Sequence, residues 1–311
     1  MGCFFYHLYR VTRKNRFIGK VVLTLIYRLH VLDHATDEWY WKLTTLLYAG
    51  ETYALPGKGG GINSVIRWQQ MHWQSPLKAR CSDKIAVREF VRDRLGDKYL
   101  IPMLPAEGVF WTNPDDIDFE QLPSRFVLKL NNGSGMNLIV NDKTELDIPA
   151  ARQKMRKWLA SDFATNLREW HYRDIPNRIY CEEFIDFSQQ SPPDYKFMCS
   201  NGRPLFLWVD TDRYQEHKRN FFNLDFEELK DVQGLFPKNA MQFNKPQNWE
   251  RMLEIAGSLS KGIPIVRIDL YNIDGKIYFG EMTFTPSAGW ETINPQSFSQ
   301  KMAAKIDLKP F

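Results

Sequence analysis

The stretch from Val266 to Pro286, VRIDLYNIDGKIYFGEMTFTP, decides the fold. In its first half Val266, Ile268 and Leu270 alternate with Arg267, Asp269 and Tyr271, the period of a half-buried strand. Asp274-Gly275 then breaks the pattern with turn chemistry, and a second strand returns through Glu281 and Thr283. Register decides what this hairpin can do. A two-residue turn would set Asp269 and Glu281 on opposite faces of the ribbon. A three-residue loop, Asp274-Gly275-Lys276, sets them across from each other and aligns the apolar faces, so the odd-length loop is expected. Two opposed carboxylates repel unless a cation lies between them. Hard divalent cations take oxygen ligands, and magnesium commonly bridges carboxylates to nucleotide phosphates. Arg267, on the same face, could hold a transferring phosphoryl group. The same three residues also fit an ion-pair cluster on a solvated sheet, and the hairpin alone leaves both readings open.

Upstream, Phe126–Leu130 reads as a strand that delivers Lys129 into a short loop, Asn131-Asn-Gly133-Ser134-Gly135, before a second strand over 138–140. Glycines let backbone N–H groups converge on phosphate oxygens, and the lysine adds a point charge. Hairpins of this composition also occur without a ligand. Consecutive glutamates, Glu182-Glu183, lie inside an apolar strand-like run over 178–186 and must point to opposite faces. Further strands are expected over 195–199 and 205–209, joined by an Asn201-Gly202 turn, and helices from about Ser82-Asp83 and over 249–260. Strands paired as hairpins and interrupted by single helices indicate an α+β enzyme rather than a doubly wound parallel sheet.

The bulk properties set wide limits. A chain of 311 residues is long enough for two or three lobes, and a net charge of +4 is too weak to argue for nucleic acid. The cysteines (Cys3, Cys81, Cys181, Cys199) form no C-x-x-C pair, so a zinc or redox motif is not expected, and scattered thiols fit a reducing compartment. No apolar run reaches the roughly 20 residues of a membrane span. Arg10, Arg13, Lys14, Arg16, Lys20 and Arg28, set among aromatics, suit either a helix on an anionic membrane face or a solvated face of helices packed on the enzyme. A cytoplasmic location, with possible peripheral contact at the inner membrane face, is the resulting expectation.

Five blocks in this order resemble the ATP-grasp superfamily, and more closely its TupA-like branch, associated with teichuronopeptide and surface polysaccharide synthesis. They are SDKIAVREFV (82–91), FVLKLNNGSGMN (126–137), REWHYRDIPNRIYCEEFI (168–185), PPDYKFMCSNGRP (192–204) and VRIDLYNIDGKIYFGEMTFTPSAG (266–289). The resemblance implies two α+β lobes clasping ATP, one over 82–186 and one over 187–311, after a mainly helical N-terminal region, 1–81. It implies Lys84 and Lys129 on phosphates under a Gly133-Ser134-Gly135 cover. It places Glu182, Glu183 and Phe184 at the hinge beside adenine. It gives Asp269, Glu281 and Thr283 to Mg2+ and Arg267 to the transferred phosphoryl group. Where many members carry Glu-x-Asn, this chain has Glu281-Met-Thr283, so Thr283 is the weakest ligand of the set.

The implied chemistry is carboxylate–amine ligation through an acylphosphate. By analogy the carboxylate belongs to a uronic acid or polysaccharide precursor and the amine to an amino acid. Lys196, Arg213, His217 and Arg219 are candidates for the acceptor or phosphate side. A metal-dependent glycosyltransferase is the competing class, and Asp210-Thr-Asp212 is the triplet it must rely on.

Overall fold

The structure is a computed structural model, and it describes residues 21–22, 24–26, 32, 34–49, 54, 56–164, 167–186, 192–212 and 216–311. The basic residues from Arg10 to Arg28, Cys3 and Arg213 lie outside this set. Among the described residues no helix is long and apolar enough to cross a membrane.

The chain forms two antiparallel sheets. The first is built from β1 (Met103–Leu104), β2 (Phe126–Leu130), β3 (Asn137–Val140) and β4 (Ile179–Glu183), in the order β1-β4-β2-β3. The second contains β5 (Asp194–Ser200), β6 (Arg203–Thr211), β7 (Lys218–Phe222), β8 (Val266–Ile273) and β9 (Lys276–Thr283), in the order β7-β6-β5-β8-β9. Every strand pair is antiparallel, in agreement with the α+β expectation.

Helices cover these sheets. α1 (Asp37–Thr44), α2 (Ile62–His72) and α3 (Pro76–Ser82) make the N-terminal part helical. α4 (Val87–Leu95), α5 (Ile148–Leu159), α6 (Trp249–Ser260) and α7 (Gln296–Ala303) follow. α5 buries Ala151, Met155 and Trp158 on the first sheet against Phe126, Leu128 and Leu130. Asp147 caps that helix by accepting from the Ala150 N–H at 2.9 Å, and Pro149 occupies its first turn, where no donor is needed.

The second sheet carries the larger core. On one face Phe197, Leu207, Ile268 and Leu270 pack on Met252, Ile255 and Leu259 of α6 and on Phe90 and Val91 of α4. The opposite face is divided. Met198, Phe206, Trp208 and Phe221 are roofed by Ile62, Val65 and Ile66 of α2 and by Met302 of α7. Along the same strands the side chains change to Asp194, Lys196, Asp210, Arg219, Arg267 and Asp269, which with Glu281 and parts of the first sheet line a common cavity. Strand alternation thus supplies an apolar floor and a charged patch from one set of strands.

Two local expectations change. The Asp274-Gly275 turn has two residues, with Ile273 paired to Lys276. Asp269 nevertheless faces Glu281, because the register slips between Asp269 and Leu270, leaving Gly280 as an extra residue on β9. A Cβ on Gly280 would lie 3.1 Å from the Asp269 carbonyl oxygen, so the bulge favours the residue without one. The helix expected from Ser82-Asp83 begins at Val87, because Asp83 Oδ1 accepts from the Ile85 and Ala86 N–H groups and holds that turn. The stretch ahead of it forms α3, started by the Ser75 hydroxyl and Pro76.

Candidate active site

β8 and β9 bring Arg267, Asp269, Glu281 and Thr283 together. Arg267 Nε donates to Asp269 Oδ1 at 2.6 Å, and its NH2 donates to Asp269 Oδ2 at 2.7 Å and to Glu281 Oε1 at 2.6 Å. The Thr283 hydroxyl donates to the same Glu281 oxygen at 2.9 Å. Lys196, opposite Asp269 on β5, donates to Asp269 Oδ2 and lies 2.6 Å from Asp194. Lys196, Asp194 and Asp269 are almost fully buried. The ion-pair cluster that the sequence allowed is therefore present.

Burial alone would raise the Glu281 carboxyl. The nearby cations Arg267, Lys84 and Lys196 outweigh it and hold the group well below the usual carboxylate range.

The phosphate-type loop stands opposite. Lys84 Nζ donates to the Gly133 carbonyl at 2.6 Å, which ties the turn before α4 to the loop. Gly133 and Gly135 both have positive φ, 73° and 76°. A Cβ on Gly133 would meet the Phe163 ring at 2.4 Å, so this corner excludes larger residues. The amides of Gly133, Ser134 and Gly135 make no hydrogen bond with another described residue, which leaves three donors at one bend. Asn131 fixes the base of the loop: its side chain donates to the Pro176 carbonyl at 3.1 Å and accepts from the Arg178 N–H at 2.8 Å.

The consecutive glutamates Glu182 and Glu183 separate as alternation requires. Glu182 is buried, accepts from Lys129, and lies 3.5 Å from Arg88. Glu183 is exposed and, with Phe184, lines a cavity of about 400 Å3 closed on its other side by Ile273, Asp274, Lys276 and Tyr278 at the hairpin tip.

A second cavity, about 170 Å3, is lined by Lys84, Lys129, the 133–135 loop, Lys196, Arg267, Asp269 and Glu281. A third, about 350 Å3, extends to Glu169, Tyr172, Thr285, Ser287 and Ala288. Lys84, Gly133, Ser134, Arg267 and Glu281 line both of these. The structure thus brings together Lys84, Lys129, the glycine loop, Lys196, Arg267, Asp269, Glu281 and Thr283, and sets Glu183 and Phe184 at a neighbouring cavity.

His217 and Arg219 belong to the charged face through Asp210. Arg219 grips both Asp210 oxygens at 2.6 and 2.9 Å and also reaches Glu291 at 2.6 Å. His217 lies 3.3 Å from Asp210 and stacks on Phe236 with ring centroids 3.7 Å apart. The Asp210-Thr-Asp212 triplet therefore presents no open pair for a metal: Asp210 is buried against Arg219, and Asp212 lies beyond the end of β6 at φ 52°.

The donor chemistry at the hairpin suits a hard cation. Asp269, Glu281 and Thr283 offer oxygens alone, and Glu281 Oε2 makes no hydrogen bond among the described residues. Among those residues no ready cluster of three or more histidine, cysteine, aspartate or glutamate side chains exists, so the remaining ligands would come from the nucleotide and water. Asp269 already carries Arg267 and Lys196, which makes Glu281 the more available carboxylate.

Sequence reasoning missed Glu169. It lies in the quoted 168–185 block, yet no periodicity points it at the site. Its Oε1 accepts from the Thr285 hydroxyl. Burial raises its carboxyl to about 7, against a smaller lowering by Thr285. A folded-state pKa above the unfolded value of 4.5 gives a stability contribution complete below pH 4.5 and lost as pH rises towards 7. Melting curves of Glu169→Gln from pH 4.5 to 8 should lack this decline. The wild type should lose about 2–3 kcal/mol relative to the variant over that range, allowing for partial exposure.

Two antiparallel sheets facing a shared charged cleft, one bearing a glycine loop and the other a carboxylate hairpin, form the ATP-grasp fold. The chain belongs to the TupA-like ATP-grasp family, whose model matches residues 64–307, a wider span than the five blocks. No curated protein matches it.

Among solved structures it is similar to N5-carboxyaminoimidazole synthetase from Staphylococcus aureus complexed with ADP, at 10% identity and TM-score 0.40, covering 66% of this chain and 44% of that one. It is similar to D-alanine–D-alanine ligase from Bacillus anthracis complexed with ATP, at 14% identity and TM-score 0.39, covering 66% and 55%. It is also similar to L-amino acid ligase from Bacillus licheniformis, at 17% identity and TM-score 0.44, covering 70% and 46%. The chain spans about half the length of each.

Proposed function

We propose that this chain is an ATP-dependent carboxylate–amine ligase that phosphorylates a carboxylate and passes the acyl group to an amine. The observation that carries the reading is the shared wall of Lys84, Gly133, Ser134, Arg267 and Glu281 between two cavities. A phosphoryl group bound on one side can reach an acceptor on the other without leaving these cations. Adenine occupies the cavity at Glu183 and Phe184, and the phosphates lie between Lys84, Lys129 and the glycine loop. Residues 82–186 and 187–311 act as the two lobes of the clasp.

Arg267 and Lys84 draw the acceptor carboxylate into line and stabilise charge on the transferred group. Glu281, Asp269 and Thr283 would hold Mg2+, which would neutralise phosphate charge during transfer. Lys196 donates to Asp269 and holds its carboxylate in place. By analogy, the acceptor is read as a uronic acid or other carboxylate of a bacterial surface polysaccharide precursor, and the amine as an amino acid. On this reading the enzyme acts in the cytoplasm.

The test is ADP release with galacturonate- or glucuronate-bearing oligosaccharides and a set of amino acids. ADP should form only when a carboxylate is present, and hydroxylamine should intercept the acylphosphate as a hydroxamate. Sugar transfer from a UDP-sugar without ATP consumption would overturn the proposal.

A further inference from the structure

The cavity beyond Arg267 and Glu281 has a charge arrangement of its own. Its wall carries the cations Lys84 and Arg267 and the carboxylates Glu281 and Glu169. Arg267 holds Glu281. Glu169 has no such partner: Thr285 donates to one oxygen, and the other makes neither hydrogen bond nor ion pair with another described residue.

The position of Glu169 is nevertheless firmly built. Arg168 donates to Asp37 of α1 at 2.5 Å and to the Leu32 carbonyl at 2.6 Å, and the Trp170 indole donates to Asp37 at 3.1 Å. The Glu169 N–H donates to the Ala164 carbonyl at 3.0 Å. Across from it, Ser287 and Ala288 are held at φ 48° and 50°, a conformation that side-chain-bearing residues adopt only under constraint. That constraint comes from α2, where Arg67 donates to the Gly289 carbonyl at 2.7 Å and stacks on Trp290.

We propose that Glu169 binds the amine of the second substrate and takes its proton, so that the Glu169 end of this cavity receives the amine beside the acceptor at Lys84 and Arg267. The inference rests on the ligase reading above. An ammonium group complements a carboxylate that lacks a cation, whereas the acceptor carboxylate is drawn to Lys84 and Arg267 and repelled by Glu169. In the step itself, the bound ammonium gives one proton to the Glu169 carboxylate and becomes a neutral amine. Its lone pair attacks the carbonyl carbon of the acylphosphate. The C–N bond forms and the C–O bond to phosphorus breaks. Phosphate leaves with the electron pair and takes the second proton from nitrogen. A carboxyl that burial brings to about 7 is suited to exchange a proton with an amine near neutral pH.

The test is calorimetry on the wild type, Glu169→Gln and Glu169→Asp, each saturated with Mg2+ and the non-hydrolysable nucleotide AMP-PNP. The titrants are the twenty L-amino acids and ethanolamine, and for any that binds, the analogue with hydroxyl in place of amine. At least one amine should bind the wild type, weaken tenfold or more in Glu169→Gln, and recover largely in Glu169→Asp. The hydroxyl analogue should bind wild type and Glu169→Gln alike, and AMP-PNP affinity should not change. The assignment is overturned if every amine that binds does so equally well to Glu169→Gln, or if none binds the wild type while AMP-PNP does. Absence of AMP-PNP binding to the wild type would instead remove the ligase reading, and this assignment with it.

Discussion

Arg267→Met is expected to lower ADP release by about a thousandfold, the loss typical when a donor to the transition-state charge is removed. Arg267 touches both candidate metal-binding carboxylates and lines both cavities of the proposed transfer path, so no neighbour can replace it. The substitution also exposes what the ion pairs were balancing. Asp269 keeps Lys196, but Glu281 loses its closest cation, and breaking such a half-buried pair costs about 1–3 kcal/mol. Because its folded-state pKa is depressed, Glu281 contributes stability above the unfolded value of 4.5 and loses it as pH falls; that acid sensitivity should shrink in the variant. Arg267→Lys separates the two roles. It keeps the charge and most of the stability, but one ammonium cannot reproduce the two-pronged grip on Asp269 together with Glu281, so activity stays low. Wild-type turnover in Arg267→Met would remove this residue from the chemistry.

Lys196→Met should give the largest loss of stability. The lysine lies between Asp194 and Asp269, which are 1% and 2% exposed. An apolar replacement leaves one less cation for two buried carboxylates, at a cost of about 3–5 kcal/mol, or roughly 10 °C in Tm for a chain of this size. Adding Asp194→Asn should recover part of that loss, and a double-mutant cycle measures the coupling. An unchanged Tm in Lys196→Met would mean that Arg267 alone holds Asp269.

Much of this was legible in the sequence because strand alternation and turn chemistry are local. Val266 to Leu270 announced one buried face, and Asn201-Gly202 announced its turn, where the residues take φ 43° and 82°. The opposition of Asp269 and Glu281 was readable, but the device that produces it was misassigned. A three-residue loop and a bulge shift the register by the same single residue, so patterning cannot separate them. Gly280, a lone glycine inside a strand, carried the signal for the bulge. The helix start moved from Ser82 to Val87 because the Asp83 carboxylate serves an isolated turn first.

What stayed hidden depends on contacts between distant segments. Glu169 and Thr285 stand 116 positions apart and meet only when α1, α2 and the end of β9 are packed together. Asp194 gives no sequence cue of its own, yet its burial beside Lys196 makes it part of the charged patch.

The measurement closest to the central claim is calorimetry of MgATP binding to the wild type and to Glu281→Ala. Binding to the wild type should weaken at least tenfold in the variant and lose its dependence on Mg2+, with the fold retained. Equal MgATP affinity in both proteins, or no MgATP binding to the wild type, would contradict it.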